Sequence, residues 1–141
     1  MKSALIVEDD EGVIAALSST LIGYAKRPAH TMTEAIKALK EHEFDVVFLD
    51  LGLPDSKPER TLQMIPMIRM IAKESAIILM TGFPDKIGNA QHAVDSILLK
   101  PFHSGHIREA LADAQLSLTR NHCDDSSLPM CRAIMALPAS A

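Results

Sequence analysis

Polar residues that could do chemistry stand at the ends of four short apolar runs in this sequence. They are Glu8, Asp9, Asp50, Thr81 and Lys100. Carboxylates are hard oxygen ligands of the kind that Mg²⁺ prefers, and a carboxylate can also attack phosphorus to form an acyl phosphate. A lysine and a hydroxyl can pair with phosphoryl oxygens. These residue types are suited to phosphoryl transfer if the fold brings them together.

The apolar runs are typical of strands that a parallel sheet buries on both faces. Each is short, rich in β-branched and aliphatic residues, and bounded by turn formers. The predicted strands cover residues 4–7, 25–30, 46–49, 76–80 and 97–99. Five predicted helices alternate with them, which is the pattern of a doubly wound α/β fold with helices on both faces of the sheet. Right-handed crossovers would place the polar residues at one edge, where such sheets have their sites.

Capping residues and prolines mark the boundaries of the helices. The predicted starts are Asp10 as an N-cap, Thr31 with Glu34 as a capping box, Pro58 in a first turn, and Ser104 or Gly105. Pro66 falls inside the third helix and removes a backbone donor, so a kink or two short helices are predicted there. A short fourth helix is expected over residues 85–92. Pro28 marks the second strand as an edge strand.

Length and composition exclude several classes of protein. The 141 residues suit one domain, and 48% apolar residues exclude a disordered chain. No apolar run approaches the roughly 20 residues that cross a bilayer, and the N-terminus lacks a signal peptide, so a cytoplasmic protein is expected. A net charge of −4 without a basic cluster argues against direct nucleic-acid binding. Two cysteines, Cys123 and Cys131, make neither a disulfide scaffold nor a zinc site.

Four motifs in order resemble the response-regulator receiver family over residues 2 to 118. The motifs are Ile-Val-Glu8-Asp9-Asp10, Phe-Leu-Asp50-Leu-Gly-Leu-Pro54, Leu-Met-Thr81-Gly and Leu-Leu-Lys100-Pro101-Phe102. The resemblance implies a flavodoxin-like fold, and it implies that a histidine kinase or histidine phosphotransfer protein phosphorylates Asp50. It also implies a cis bond before Pro101. The chain would catalyse only its own phosphorylation and dephosphorylation.

The roles expected within the site follow from the same residues. Glu8 or Asp9, Asp50 and the backbone carbonyl of Gly52 would form part of a shell for Mg²⁺ or Mn²⁺. Lys100 would pair with one phosphoryl oxygen, and the Thr81 hydroxyl would hydrogen-bond another.

Competing interpretations of these residues are weaker. Phosphatases of the haloacid-dehalogenase type also form an aspartyl phosphate, but they carry an acid two positions after the nucleophile, where this chain has Gly52. The turn after the first strand is acidic, whereas a phosphate loop needs glycines and exposed amides. His103 and His106 have no further ligand at suitable spacing and are interpreted as surface histidines.

The sequence also departs from the family pattern. Ile97 stands where receivers usually carry an aromatic residue or threonine, three places before the lysine. Only 19 positions separate Thr81 from Lys100, so a truncated fourth helix is expected. This departure bears on the phosphorylation-dependent dimer that the family implies and on the usual output face. An interaction module whose output does not depend on phosphorylation is therefore the alternative function.

The predicted division of the chain is a receiver domain over residues 1–119 and a C-terminal tail over residues 120–141. No output domain is expected in the tail. The chain should therefore act alone, through a downstream protein partner or as a phosphate relay.

Overall fold

The structure is a computed structural model. It describes residues 1–122, apart from the side chains of residue 86 and residues 118–122. Most of the predicted tail, including Cys123 and Cys131, lies outside the described residues.

A five-stranded parallel sheet forms the centre of the molecule, as predicted. Its strands are β1 (Lys2–Val7), β2 (Tyr24–Ala29), β3 (Val46–Asp50), β4 (Ala76–Thr81) and β5 (Ser96–Leu99). They are ordered β2-β1-β3-β4-β5. Every residue of β3 and β4 is buried, which explains why these strands are continuous apolar runs. The strand that contains Pro28 lies at an edge, as predicted.

Helices cover both faces of the sheet. They are α1 (Glu11–Thr20), α2 (Met32–Glu41), α3 (Pro58–Ile71) and α4 (Ser104–His122). Successive strand residues point to opposite faces. Val47 and Leu49 accordingly join the apolar layer under α2 and α3, whereas Val46 and Phe48 join the layer under α1 and α4. The doubly wound fold of the flavodoxin type is therefore confirmed.

Three helix starts agree with the sequence. Asp10 accepts hydrogen bonds from the backbone N–H groups of Gly12 and Val13, Thr31 accepts one from Glu34, and Pro58 occupies the first turn of α3. In the predicted capping box only the Thr31 half forms, since the Glu34 carboxylate accepts the backbone N–H of His30 at 2.6 Å. The last helix begins at Ser104 and runs to His122, three residues past the predicted domain boundary. None of the helices in the described part of the chain is long and apolar enough to cross a membrane.

One prediction about the helices was wrong in detail. Residues 85–92 do not form one short helix but lie in two 3₁₀ segments, Pro84–Lys86 and Gly88–His92. Gly88 has a φ of +56°, which an α-helix cannot accommodate. The structure therefore has four α-helices in the described residues, not five.

Of the two outcomes predicted at Pro66, two short helices are wrong, because α3 continues from Pro58 to Ile71. A kink at this residue stays a prediction. Ile65 and Ile68 on either side of the proline are fully buried, and this packing holds the helix on the sheet. Pro66 itself faces solvent, where water can solvate the one carbonyl that the proline leaves without its helical donor.

Candidate functional site

A cavity of about 380 Å³ opens at the carboxyl edge of the sheet. The residues that line it include all six predicted site residues, Glu8, Asp9, Asp50, Gly52, Thr81 and Lys100. The topology accounts for their meeting. Strands β1, β3 and β4 are neighbours in the sheet, and their ends deliver the acids and the threonine side by side. The backbone N–H of Lys100 bonds to the Thr81 carbonyl at 2.8 Å, which brings the lysine to the same edge.

Three carboxylates form a cluster in this cavity. Glu8, Asp9 and Asp50 each offer one oxygen, and these oxygens all lie within 4.8 Å of one another. Glu8 and Asp50 are buried, whereas Asp9 is exposed. Like charges this close repel each other unless a cation lies among them. An all-oxygen donor set with an open side fits Mg²⁺ or Mn²⁺, both of which favour hard oxygen ligands.

Lys100 supplies a positive charge within the cluster. Its Nζ lies 2.7 Å from Glu8 Oε2 and 3.0 Å from Asp50 Oδ1. Burial works to lower the pKa of Lys100, but its hydrogen bonds to Glu8 and Asp50 and their negative charges raise the pKa above its usual 10.5. The lysine is therefore a cation throughout the physiological pH range.

Both carboxylate oxygens of Glu8 have hydrogen-bond partners. Oε1 accepts from the backbone N–H groups of Asp9 at 3.2 Å and Asp10 at 3.1 Å, and Oε2 accepts from Lys100. Burial raises the pKa of Glu8, and the Lys100 hydrogen bond opposes this effect. In this arrangement Glu8 orients the lysine and the turn between β1 and α1. Its role as a metal ligand stays a prediction.

Thr81 ends β4 with its side chain buried at the cavity. Its Oγ1 accepts a hydrogen bond of 2.9 Å from the backbone N–H of Phe83, a residue that is 66% exposed. The peptide bond between Lys100 and Pro101 is cis, as the sequence resemblance implied. Ile97 is partly buried against the apolar layer under α2 and α3.

The family model of the response regulator receiver domain matches residues 4–112 of this chain. The chain belongs to the response regulator receiver family. Receiver domains are signalling modules of two-component systems, in which an aspartate is phosphorylated, and they bind Mg²⁺ at an acidic site. The acidic cavity of this receiver domain agrees with both properties.

Curated relatives agree with this assignment. Transcriptional regulatory protein KdpE of Mycobacterium tuberculosis is 31% identical over 125 residues, which cover 86% of this chain and 53% of KdpE. Virulence transcriptional regulatory protein PhoP of Salmonella typhimurium is 32% identical over 126 residues, with 86% of this chain and 54% of PhoP covered. The chain thus spans about half the length of these relatives.

Solved structures share the fold of this receiver domain. A CheY-like receiver domain from Methylobacillus flagellatus has a TM-score of 0.71 at 27% identity, with 81% of this chain and 98% of that chain covered. TrrA from Thermotoga maritima, in complex with Mg²⁺ and BeF, has a TM-score of 0.70 at 26% identity, with 81% and 99% covered. A Burkholderia pseudomallei response regulator with a phosphorylated aspartic acid has a TM-score of 0.69 at 26% identity, with 89% and 75% covered.

One feature beside the site of the receiver domain has no counterpart in the sequence predictions. The Asp55 carboxylate accepts hydrogen bonds from the backbone N–H groups of Met32 and Thr33 and from the Thr33 hydroxyl. Burial works to raise the pKa of Asp55, but these hydrogen bonds outweigh it and lower the pKa below its usual 3.8. Met32 and Thr33 precede Asp55 by 23 and 22 residues in the chain, so no local sequence pattern reveals these hydrogen bonds. The sequence signal that could have revealed this contact was the residue type at position 55, because Asp is favoured at helix N-termini.

His103 and His106 lie on the surface, as predicted. Their rings stack with centroids 3.7 Å apart. The Nδ1 of each ring lies within hydrogen-bonding distance of a backbone N–H, that of Gly105 for His103 and that of His103 for His106. The pair therefore belongs to the first turn of α4 and not to the acidic cavity.

Proposed function

We propose that Asp50 accepts a phosphoryl group from a phosphohistidine of a histidine kinase or a histidine phosphotransfer protein. The observation that carries this proposal is the position of the Asp50 carboxylate. It lies at the end of a buried strand, 3.0 Å from the Lys100 ammonium and within the cluster of acids. A nucleophile, a countercharge and oxygen ligands for a cation thus face one cavity.

Asp9, Asp50, Glu8 and the Gly52 carbonyl are the groups that would hold Mg²⁺ or Mn²⁺. The bound cation would neutralise charge on the oxygens of the phosphoryl group. Gly52 lines the cavity, and a Cβ placed on it would lie 3.9 Å from Asp50 Oδ2. The proposed donor residues thus line the same cavity as the nucleophile.

The covalent step exchanges one bond to phosphorus for another. An Asp50 oxygen attacks phosphorus, the P–N bond to the donor imidazole breaks, and the imidazole leaves with the electron pair and takes up a proton. Lys100 pairs with a phosphoryl oxygen as charge moves away from the Asp50 carboxylate. Glu8 keeps the ammonium at this position because its Oε2 remains bonded to it.

Thr81 has a hydroxyl proton available for the phosphoryl group. Its Oγ1 accepts the Phe83 N–H through a lone pair, so the hydroxyl can still donate its own hydrogen. A phosphoryl oxygen in the cavity would be an acceptor for that hydrogen. We expect the hydroxyl to report the phosphorylated state to the loop that follows β4.

Intact-mass measurement tests the proposed acceptor. The native chain, incubated with acetyl phosphate and Mg²⁺, should gain one phosphoryl group, and chelation of the metal should abolish the gain. Asp50→Asn should gain none. Asp45→Asn makes the same change immediately before Val46, the first residue of β3, and should gain the phosphoryl group as the native chain does. Equal labelling of Asp50→Asn and the native chain would refute the proposal.

The organisation of the signalling pathway stays a prediction of the sequence. We predict that the chain acts as a single-domain regulator and that it is cytoplasmic. Its predicted output is partner binding or onward transfer of the phosphoryl group. A dimer that forms on phosphorylation belongs to the same set of predictions, and size-exclusion chromatography with and without beryllofluoride would test it.

A further inference from the structure

The loop of residues 51–57, between Asp50 and α3, is bonded to the start of α2. One Asp55 oxygen accepts the backbone N–H of Met32 at 2.7 Å. The other accepts the backbone N–H of Thr33 at 3.0 Å and the Thr33 hydroxyl at 2.9 Å. Asp55 therefore joins the loop that follows the phosphoacceptor to a helix that precedes it in the chain.

The first turn of α2 explains why a carboxylate binds there. A helix begins with backbone N–H groups that have no partner inside the helix, and its dipole favours negative charge at this end. Thr31 is the N-cap and accepts the backbone N–H of Glu34 at 3.1 Å. Asp55 accepts the two N–H groups before that one. The helix thus has a local cap and a distant cap, and only the distant cap also restrains the loop.

Other contacts hold the loop on both sides of Gly52. Leu51 and Leu53 are 4% and 6% exposed, so their side chains anchor the loop in the core. Beyond them, the hydroxyls of Ser56 and Thr61 lie 2.8 Å apart in a buried hydrogen bond. Gly52 is exposed between the two leucines and lines the acidic cavity.

We propose that Asp55 is a positioning residue for the cation site, which it serves by fixing the 51–57 loop so that Gly52 stays beside Asp50. This inference rests on the proposed function, because it assumes that the acidic cavity binds Mg²⁺. Asp55 itself lies outside the cavity lining and would touch neither the cation nor the phosphoryl group. It acts through the loop. Groups that orient metal ligands in this way affect metal affinity about 10- to 100-fold.

Thr31→Ala is the matched control for Asp55→Ala. Both changes remove a side-chain cap from the same turn of α2, but Thr31 has its hydrogen bond within that turn and does not hold the loop. If Asp55 only stabilises the helix, the two variants should behave alike. If it positions the loop, they should differ in Mg²⁺ binding.

Calorimetric titration with Mg²⁺ measures the difference. Asp55→Ala should raise the dissociation constant about tenfold, and Thr31→Ala should leave it unchanged. Asp55→Asn retains one oxygen acceptor and should give a smaller rise, which is the rescue expected of the conservative variant. Hydrogen exchange of the metal-free proteins gives a second readout. Amides of residues 51–56 should exchange faster in Asp55→Ala than in Thr31→Ala.

The outcomes separate this inference from the proposed function. If the native chain binds Mg²⁺ and Asp55→Ala binds it equally well, or if both caps weaken it equally, the positioning role is overturned and the proposed function stands. If the native chain binds no Mg²⁺, the proposed cation site itself is refuted. Should Asp55→Ala fail to fold, Asp55→Asn decides the question, and a native dissociation constant with native exchange rates in that variant overturns the role.

Discussion

Lys100 donates a hydrogen bond of 2.7 Å to the carboxylate of Glu8, although the two residues are 92 positions apart in the chain. Glu8 follows β1 and Lys100 follows β5, and the strand order places β3 and β4 between them. The contact therefore spans the ends of two intervening strands. It passes beside Asp50, whose carboxylate the same ammonium contacts.

Removal of the lysine should destabilise the fold. Lys100→Met leaves the buried Glu8 carboxylate without its countercharge, and we expect a loss of roughly 2 kcal/mol in the free energy of unfolding at neutral pH. This is below the range for fully buried pairs because the Lys100 side chain is 26% exposed. Urea unfolding measures it. Glu8→Gln in the same chain should recover part of the loss, whereas strictly additive effects would contradict the coupling.

Lys100 should contribute to the response to the phosphoryl group but not to binding of the cation. Lys100→Ala removes a countercharge but no oxygen ligand, so we expect it to bind Mg²⁺ and to respond poorly to phosphorylation. Calorimetry measures the first property, and amide chemical shifts with and without beryllofluoride measure the second. Loss of Mg²⁺ binding in this variant would contradict the assigned roles.

Mg²⁺ should stabilise the native chain because it relieves repulsion among Glu8, Asp9 and Asp50. At a concentration about tenfold above the dissociation constant, linkage gives a gain of roughly 1.4 kcal/mol. Asp9→Asn should raise the melting temperature without metal and lose most of the response to Mg²⁺. Asp113→Asn, at an exposed position on α4, is the control and should keep the response. A native melting temperature indifferent to Mg²⁺ would contradict this prediction.

Asp55 should contribute to the acid sensitivity of the fold. Its pKa is lowered on folding, so the unfolded chain binds the proton more tightly. The stabilising contribution is present above the usual pKa of 3.8 and is lost as the pH falls through the lower pKa of the folded protein. Asp55→Asn should therefore lose less stability than the native chain over that interval. Urea unfolding at a series of acidic pH values checks this, and parallel curves for the two proteins would contradict it.

Activation should appear mainly in the loop after Thr81. Ile97 is β-branched and packed, so it has few χ1 alternatives. When the Thr81 hydroxyl turns toward a phosphoryl oxygen, its hydrogen bond from the Phe83 N–H must change, and the loop should move with it. Beryllofluoride should shift the amide signals of residues 82–86 strongly and those of β5 and α4 weakly. Larger shifts over residues 97–111 would show that the usual output face responds despite Ile97.

Local sequence patterns predicted the elements that position the site. Strands β1, β3 and β4 are apolar where the sheet buries them, whereas β5, at the edge, has only Leu98 fully buried. In all four strands the chemistry begins where the apolar run stops. Asp10 and Thr31 could be identified as caps because they bond within their own helix turns. The parallel sheet then brings Glu8, Asp50, Thr81 and Lys100 to one edge without further information.

The features that could not be predicted from the sequence depend mainly on contacts between distant segments of the chain. Pro66 remains in a continuous helix because buried isoleucines on either side hold α3, and a local rule about proline cannot include that packing. The positive φ of Gly88 was not evident from a segment that otherwise looked helical. The bond from Asp55 to α2 depends on how two distant segments meet.

Chemical mapping of the phosphorylated residue identifies the phosphoacceptor without any substitution in the chain. Borohydride reduces an aspartyl phosphate to homoserine, which peptide mass spectrometry can locate after the chain has been phosphorylated by a phosphohistidine donor in the presence of Mg²⁺. We expect homoserine at position 50 and at no other aspartate, and none in Asp50→Asn. Homoserine at position 9 or 10 in place of position 50, or equal phosphoryl transfer to Asp50→Asn, would contradict it.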